Sequence, residues 1–221
     1  MTVSMEDAQM SKVRELFSSV DKSYVSTLPR FVYEGKIVVV HSLLETEHAL
    51  HALYKTTNIV GIDTETRPAF RKGVHHKVAL LQVSSLDICF LFRLSMIGMP
   101  PSLVAFLEDS NMLKVGLSLK DDLAQLRQRH DFSPAGFLDL QPYAKEMGIS
   151  DMSLQKLYAN VFRYRISKSA QCSNWEAEEL SETQKRYAAT DAYTCLQLYQ
   201  ELSALRVGKQ FVIKEFSHLS V

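Results

Sequence analysis

Three groups of residues could do chemistry. Asp63 and Glu65 flank Thr64 in VGIDTET. In an extended strand, residues two apart point to the same face, so both carboxylates project together from an otherwise apolar run. Two such charges repel unless a proton or a cation lies between them, and carboxylate oxygens suit Mg²⁺ or Mn²⁺. The second group is Asp121-Asp122 in LKDDLAQL. On a helical wheel Leu119, Leu123 and Leu126 form the apolar stripe; Asp122 flanks it and Asp121 points to water. An acid on the edge of a buried face is the informative one. The third is Tyr187 and Asp191, four residues apart and therefore neighbours on one helix surface, at the border of the stripe formed by Ala188, Ala192, Cys195, Leu196, Tyr199 and Leu202. Each signal alone also fits a bland structure: a strand leaving the core, a charged first helical turn, a packed phenol beside a solvated acid.

The elements that must position these groups are legible as hydropathy patterns. Ile37–Val40, Ile59–Asp63, Val78–Ser84, Ile88–Phe92 and Leu113–Leu117 read as five strands. The short turn Ser84-Ser85-Leu86-Asp87 predicts an antiparallel hairpin between the third and fourth. Helical spacing marks residues 44–54, a segment opened by Pro100-Pro101 and running to about Asp109, and one from about Leu119. From residue 140 onward the pattern is almost wholly helical, with segments at 140–147, 153–160 and 182–204. The last is opened by Ser181 and Gln184 in capping-box spacing. Val13, Leu16, Phe17 and Val20 follow helical spacing, predicting a short amphipathic helix free to pack on the body or on a protein partner. Residues 1–30 thus read as an N-terminal appendage, 31–205 as the main domain and 206–221 as a C-terminal extension. Strands interleaved with helices argue an α/β fold.

Composition narrows the class. The chain has 221 residues, 46% hydrophobic and 23% charged, enough for one full core. Lys+Arg 25 against Asp+Glu 25 gives no net charge, which excludes a protein that coats polyanions through bulk charge. Cys89, Cys172 and Cys195 have no zinc-ligand or disulfide spacing, so a reducing, cytoplasmic setting is expected. The first residues lack a signal-peptide pattern and no apolar run is long enough to span a membrane. Local basic clusters remain. Arg67, Arg71, Lys72 and Lys77, with His75 and His76, follow the first acidic motif directly. Arg163, Arg165 and Lys168 alternate with Phe162 and Tyr164. Basic residues interleaved with aromatics suit phosphates and bases together. The histidines are poor Mg²⁺ ligands.

Taken in order, VGIDTET, KVALLQVSS, KVGLSLKDDLAQL and SNWEAEELSETQKRYAATDAYTCLQLYQEL resemble the four blocks of a DEDDy-type 3′–5′ exonuclease. Ribonuclease D and the exonuclease domain of the Werner-syndrome helicase are relatives in that family. The similarity covers roughly residues 35–205. Asp63 and Glu65 match its first motif, Asp122 the second, and Tyr187 and Asp191 the third. The sibling DEDDh class has a histidine five residues before its last Asp; Arg186 stands there. The resemblance implies a single-domain ribonuclease H-like fold, a mixed five-stranded sheet flanked by helices. It implies hydrolysis of phosphodiesters at the 3′ end of DNA or RNA with two divalent cations about 3.5–4 Å apart. Asp63 would bridge both ions, Glu65 and Asp191 would complete the site of the attacking water, Asp122 would serve the second ion and Tyr187 would orient the nucleophile. Trp175 would pack on the last helix. The alternative, an inactive nucleic-acid-binding or scaffold module on the same fold, gives no reason to retain all five residues.

Overall fold

A computed structural model describes residues 13–71 and 73–217. In chain order the elements are β1 (Arg14–Phe17), α1 (Lys22–Thr27), β2 (Lys36–Val40), α2 (Leu43–Thr56), β3 (Ile59–Glu65), β4 (Leu80–Ser84), β5 (Ile88–Phe92), α3 (Leu94–Ile97), α4 (Pro101–Glu108), β6 (Leu113–Gly116), α5 (Leu119–Arg127), β7 (Phe137–Asp139), α6 (Leu140–Glu146), α7 (Leu154–Phe162), α8 (Glu182–Gly208) and β8 (Phe211–Lys214). The central sheet has the order β2-β5-β4-β3-β6-β7. β4 runs antiparallel to both β3 and β5, and the remaining pairs are parallel. The mixed sheet and its flanking helices form a ribonuclease H-like α/β fold.

Each element follows from its residues. β4 and β5 form the expected hairpin, and the Ser85 hydroxyl accepts from the Asp87 and Ile88 amides to close its turn. Both strands are buried on both faces, which is why they read as unbroken apolar runs. α2 and α8 open on complete capping boxes, Ser42 with Glu45 and Ser181 with Gln184, satisfying amides that have no partner inside the helix. One face of the sheet is covered by α2, α4 and α5 around Leu53, Ile62, Phe92 and Phe106. The other carries α6, α7 and α8 around Leu140, Leu157, Leu198 and Trp175.

Three expectations are corrected. The sheet has six strands rather than five: β7 adds parallel to β6. It is three residues long and follows Gly136, whose φ of 67° marks a turn, so no hydropathy period could form. Residues 13–20 are not helical. β1 pairs in parallel with β8 as a separate two-stranded sheet. Leu16 and Phe17 are adjacent yet both buried because each face of β1 is covered. Leu16 joins the α7–α8 core, and Phe17 joins Val20 and Tyr24, which imitates a helical stripe. Finally, the chain between α7 and α8 is irregular rather than helical, and α8 runs on to Gly208. No helix of the described residues is long and apolar enough to cross a membrane.

Candidate active site

β3 and α8 build the site. Asp63 stands opposite Gln82 in the β3–β4 register, and Glu65 opposite Leu80. Their shared face looks onto α8. Close approach requires Gly61: a Cβ there would lie 1.9 Å from the Ala192 carbonyl oxygen. Ala188, Ala189 and Ala192 keep the helix side of the contact thin. The result sets Asp191 against β3, and carboxylate oxygens of Asp63, Glu65 and Asp191 all fall within 4.8 Å of one another.

Such a cluster is electrostatically costly. Burial, then repulsion from Asp191 and Asp122, holds the Asp63 carboxyl well above the usual range. Burial and the neighbouring Asp63 push Glu65 up to about 10. Asp191 is pushed up to about 7 by burial, opposed by a hydrogen bond from the Tyr187 hydroxyl and by the charge of Lys168. Tyr187 is itself raised, by burial and by the Asp191 and Glu65 charges, so it is a neutral phenol that donates. Its ring lies 6.1 Å from that of Trp175, which is fully buried against α8 as expected.

Asp122 is held differently. Strand alternation turns Thr64 to the opposite face from its two acidic neighbours, toward α5. There the Thr64 hydroxyl donates to Asp122. Asp122 therefore approaches from the other layer, outside the three-carboxylate group, although its charge still reaches Asp63 and Glu65. Burial raises its pKa, whereas Asp121 is exposed. The Ser118 and Leu119 amides bind Asp139 at 2.9 Å each, fixing the start of α5.

The cluster lies in a cleft of about 360 Å³ that also takes Tyr187, Gln155, Lys168 and Gln171. Of the candidate substrate cations, Lys168 lines this cleft. Arg67 pairs with Glu176 at 3.2 Å and shares a neighbouring cavity with Arg71. Lys77 is exposed, and Lys72 lies outside the described residues. Arg163 and Arg165 are used within the fold. The Arg163 guanidinium lies 4.7 Å over the Phe17 ring and donates to the Asn160 and Glu15 carbonyls. Arg165 donates to the Leu28 carbonyl at 2.9 Å. Phe162 packs on Tyr158, with ring centroids 4.7 Å apart. His76 contacts Glu176 and stands outside the acidic group. Sequence reasoning missed Thr64, Gln155 and Gln171. Thr64 was findable, because a hydroxyl between two same-face acids must point to the opposite layer; the glutamines carry no local signal.

The site thus lies at the junction of a mixed sheet and a long helix in a ribonuclease H-like fold. The 3′–5′ exonuclease family profile matches residues 37–205, and the chain belongs to that family. It is 34% identical over 154 residues to the mouse "Bifunctional 3′-5′ exonuclease/ATP-dependent helicase WRN", covering 67% of this chain and 11% of that protein. It is 31% identical over 192 residues to a "3′-5′ exonuclease" of Arabidopsis thaliana, covering 80% of this chain and 67% of that one. The chain thus spans a small part of the first relative and two thirds of the second. In fold it is similar to the crystal structure of the Aedes aegypti Nibbler EXO domain, with a TM-score of 0.73 at 20% identity, over 82% of this chain and 94% of that one.

Proposed function

We propose that this chain is a metal-dependent 3′–5′ exonuclease of the DEDDy type, with Asp63, Glu65, Asp122, Tyr187 and Asp191 as its catalytic residues. The carrying observation is the approach of three carboxylates within 4.8 Å, Glu65 and Asp191 buried and Asp63 half-buried, a cluster of like charge that divalent cations would neutralise. An all-oxygen donor set fits Mg²⁺ or Mn²⁺. Asp63, Glu65 and Asp191 would hold the cations, with Asp122 contributing from the opposite layer. Bound cations would supply Lewis-acid stabilisation of charge on the scissile phosphate.

The residues of the chain do the rest. Tyr187, neutral and already donating to Asp191, presents a hydroxyl beside the cluster that positions the attacking water by hydrogen bonding. In the metal-free protein burial and the Asp191 and Glu65 charges keep it protonated, which suits a hydrogen-bonding role. Lys168 lines the same cleft and attracts the phosphate. The half-enclosed cleft admits a strand end, which fits exonucleolytic action on DNA or RNA 3′ ends.

The test is purified protein with Mg²⁺ or Mn²⁺ on single-stranded DNA and RNA, each labelled at either end. A 5′ label should give a descending ladder, and a 3′ label immediate release of mononucleotide. No metal-dependent hydrolysis of any of these substrates, or release of the 5′ label first, would refute the reading.

A further inference from the structure

The N-terminal segment forms one wall of a second, larger groove. Its volume is about 820 Å³, and its lining joins Ser19, Lys22, Val25 and Ser26 to residues 150–153, 155–156 and 165–168. Six lining residues, Met152, Ser153, Gln155, Ile166, Ser167 and Lys168, also line the acidic cleft, so the two cavities are continuous. This wall lies outside the 37–205 family match.

The groove is basic in a chain with no net charge. Lys22, Lys156, Arg165 and Lys168 line it against one acid, Asp151. That acid is buried; its carboxylate accepts from the Ser19 hydroxyl at 2.9 Å, the Val20 amide at 3.2 Å and the Asn160 side chain at 3.3 Å, and pairs with Lys156 at 3.6 Å, which leaves Lys22, Arg165 and Lys168 as the excess positive charge of the groove. Apolar surface alternates with the charges: Met152 is 56% exposed at the junction of the two cavities, and half-buried Val25 lies beyond it.

The wall is strapped at both ends. Asn160 bonds Phe17 through both amide atoms, donating at 2.7 Å and accepting at 2.9 Å. Beyond α1, the Arg165 amide donates to Pro29 at 2.9 Å, and Phe31 donates back to Arg165 at 2.9 Å. Arg163 and Arg165 thus build the wall that the groove needs. A track of cations with interleaved apolar surface, opening into the acidic cleft, matches a single strand: phosphates on Lys22, Arg165 and Lys168, bases on Met152 and Val25.

We infer that the groove between α1 and residues 150–168 holds the single-stranded nucleic acid immediately 5′ of the nucleotide being cleaved. This rests on the exonuclease reading, and it assigns residues 13–30 to substrate grip.

The test measures binding of a fluorescent single-stranded oligonucleotide to the full chain in EDTA, as a function of salt, without hydrolysis. Lys22→Glu and, as an independent variant on the same exposed face, Ser26→Glu should each weaken binding about 5-fold or more. Lys22→Ala should lower the log–log salt slope by about 0.7, the value for one lost single-strand phosphate contact. Lys55→Ala, on α2 in the opposite layer, should match wild type. Wild-type affinity and slope in all the groove variants, or no binding by wild type, would overturn the inference. Tight, groove-dependent binding without metal-dependent hydrolysis would instead refute the exonuclease reading and leave the groove standing.

Discussion

At the level of single residues, the division of labour follows from what each side chain can exchange. Tyr187 donates to Asp191 and is held neutral, so the role proposed for its hydroxyl is positioning rather than cation binding. Tyr187→Phe keeps the packing on Trp175 and should lower turnover by ~10²–10⁴-fold, the usual contribution of a positioned proton-handling group. Asp191→Asn removes a ligand charge and should shift the Mg²⁺ dependence to higher concentration; rate against Mg²⁺ concentration for both variants separates the two effects. Near-normal turnover in Tyr187→Phe would reduce Tyr187 to a core residue. Asp121 and Asp122 give a second contrast. Asp122 is tied to Thr64 on β3, and Asp121 faces solvent. Asp122→Asn should abolish metal-dependent hydrolysis and Asp121→Asn should leave it intact, as read by initial rates on one substrate; the reverse order would contradict the assignment.

Elements set the distances that the residues cannot set alone. β3 and α8 meet closely because Gly61 has no side chain, and an added Cβ would strike backbone, not a flexible side chain. Gly61→Ala should push α8 away from β3, separate Asp191 from Asp63, and destabilise the fold by ~1–3 kcal/mol as an overpacked core does. Activity should fall well beyond what the melting shift explains, measured by rate at a temperature where the variant remains folded. How far the sequence reveals these elements depends on their length and on whether one face meets water. α8 and α2 were legible through their capping boxes and periods, and the β4–β5 hairpin through its apolar runs and turn. The same-face logic of Asp63 and Glu65 and the wheel position of Asp122 were legible because period and register are local properties. β7 was not, since three residues carry no period. β1 imitated a helix because packing on both faces erased the alternation that marks a strand. The structural roles of Arg163 and Arg165, which fasten the N-terminal segment to the body, depend on contacts with residues more than a hundred positions away, which no local pattern encodes.

For the molecule as a whole, the site trades stability for chemistry. Carboxylates whose pKa values rise on folding take up protons as the chain folds, so the folded state binds more protons than the unfolded one between about pH 4 and the raised values. Stability of the metal-free protein should therefore be greatest near the lower end of that window and fall as pH rises through about 7, where Asp191 titrates, and on toward about 10, where Glu65 does. Mg²⁺ should raise the melting temperature strongly at pH 8.5 and little at pH 5.5, because ligand binding to the folded state needs the ionised cluster. A melting temperature that climbs from pH 5.5 to 8.5 without metal would contradict this. The central claim is that the Asp63–Glu65–Asp191 cluster is the hydrolytic centre. Its most direct test is the degradation ladder of a 5′-labelled single strand in Mg²⁺, run with wild type beside Asp63→Asn. Wild type should shorten the strand stepwise from its 3′ end, and folded Asp63→Asn should leave it intact; a ladder of undiminished rate from Asp63→Asn would place the chemistry elsewhere.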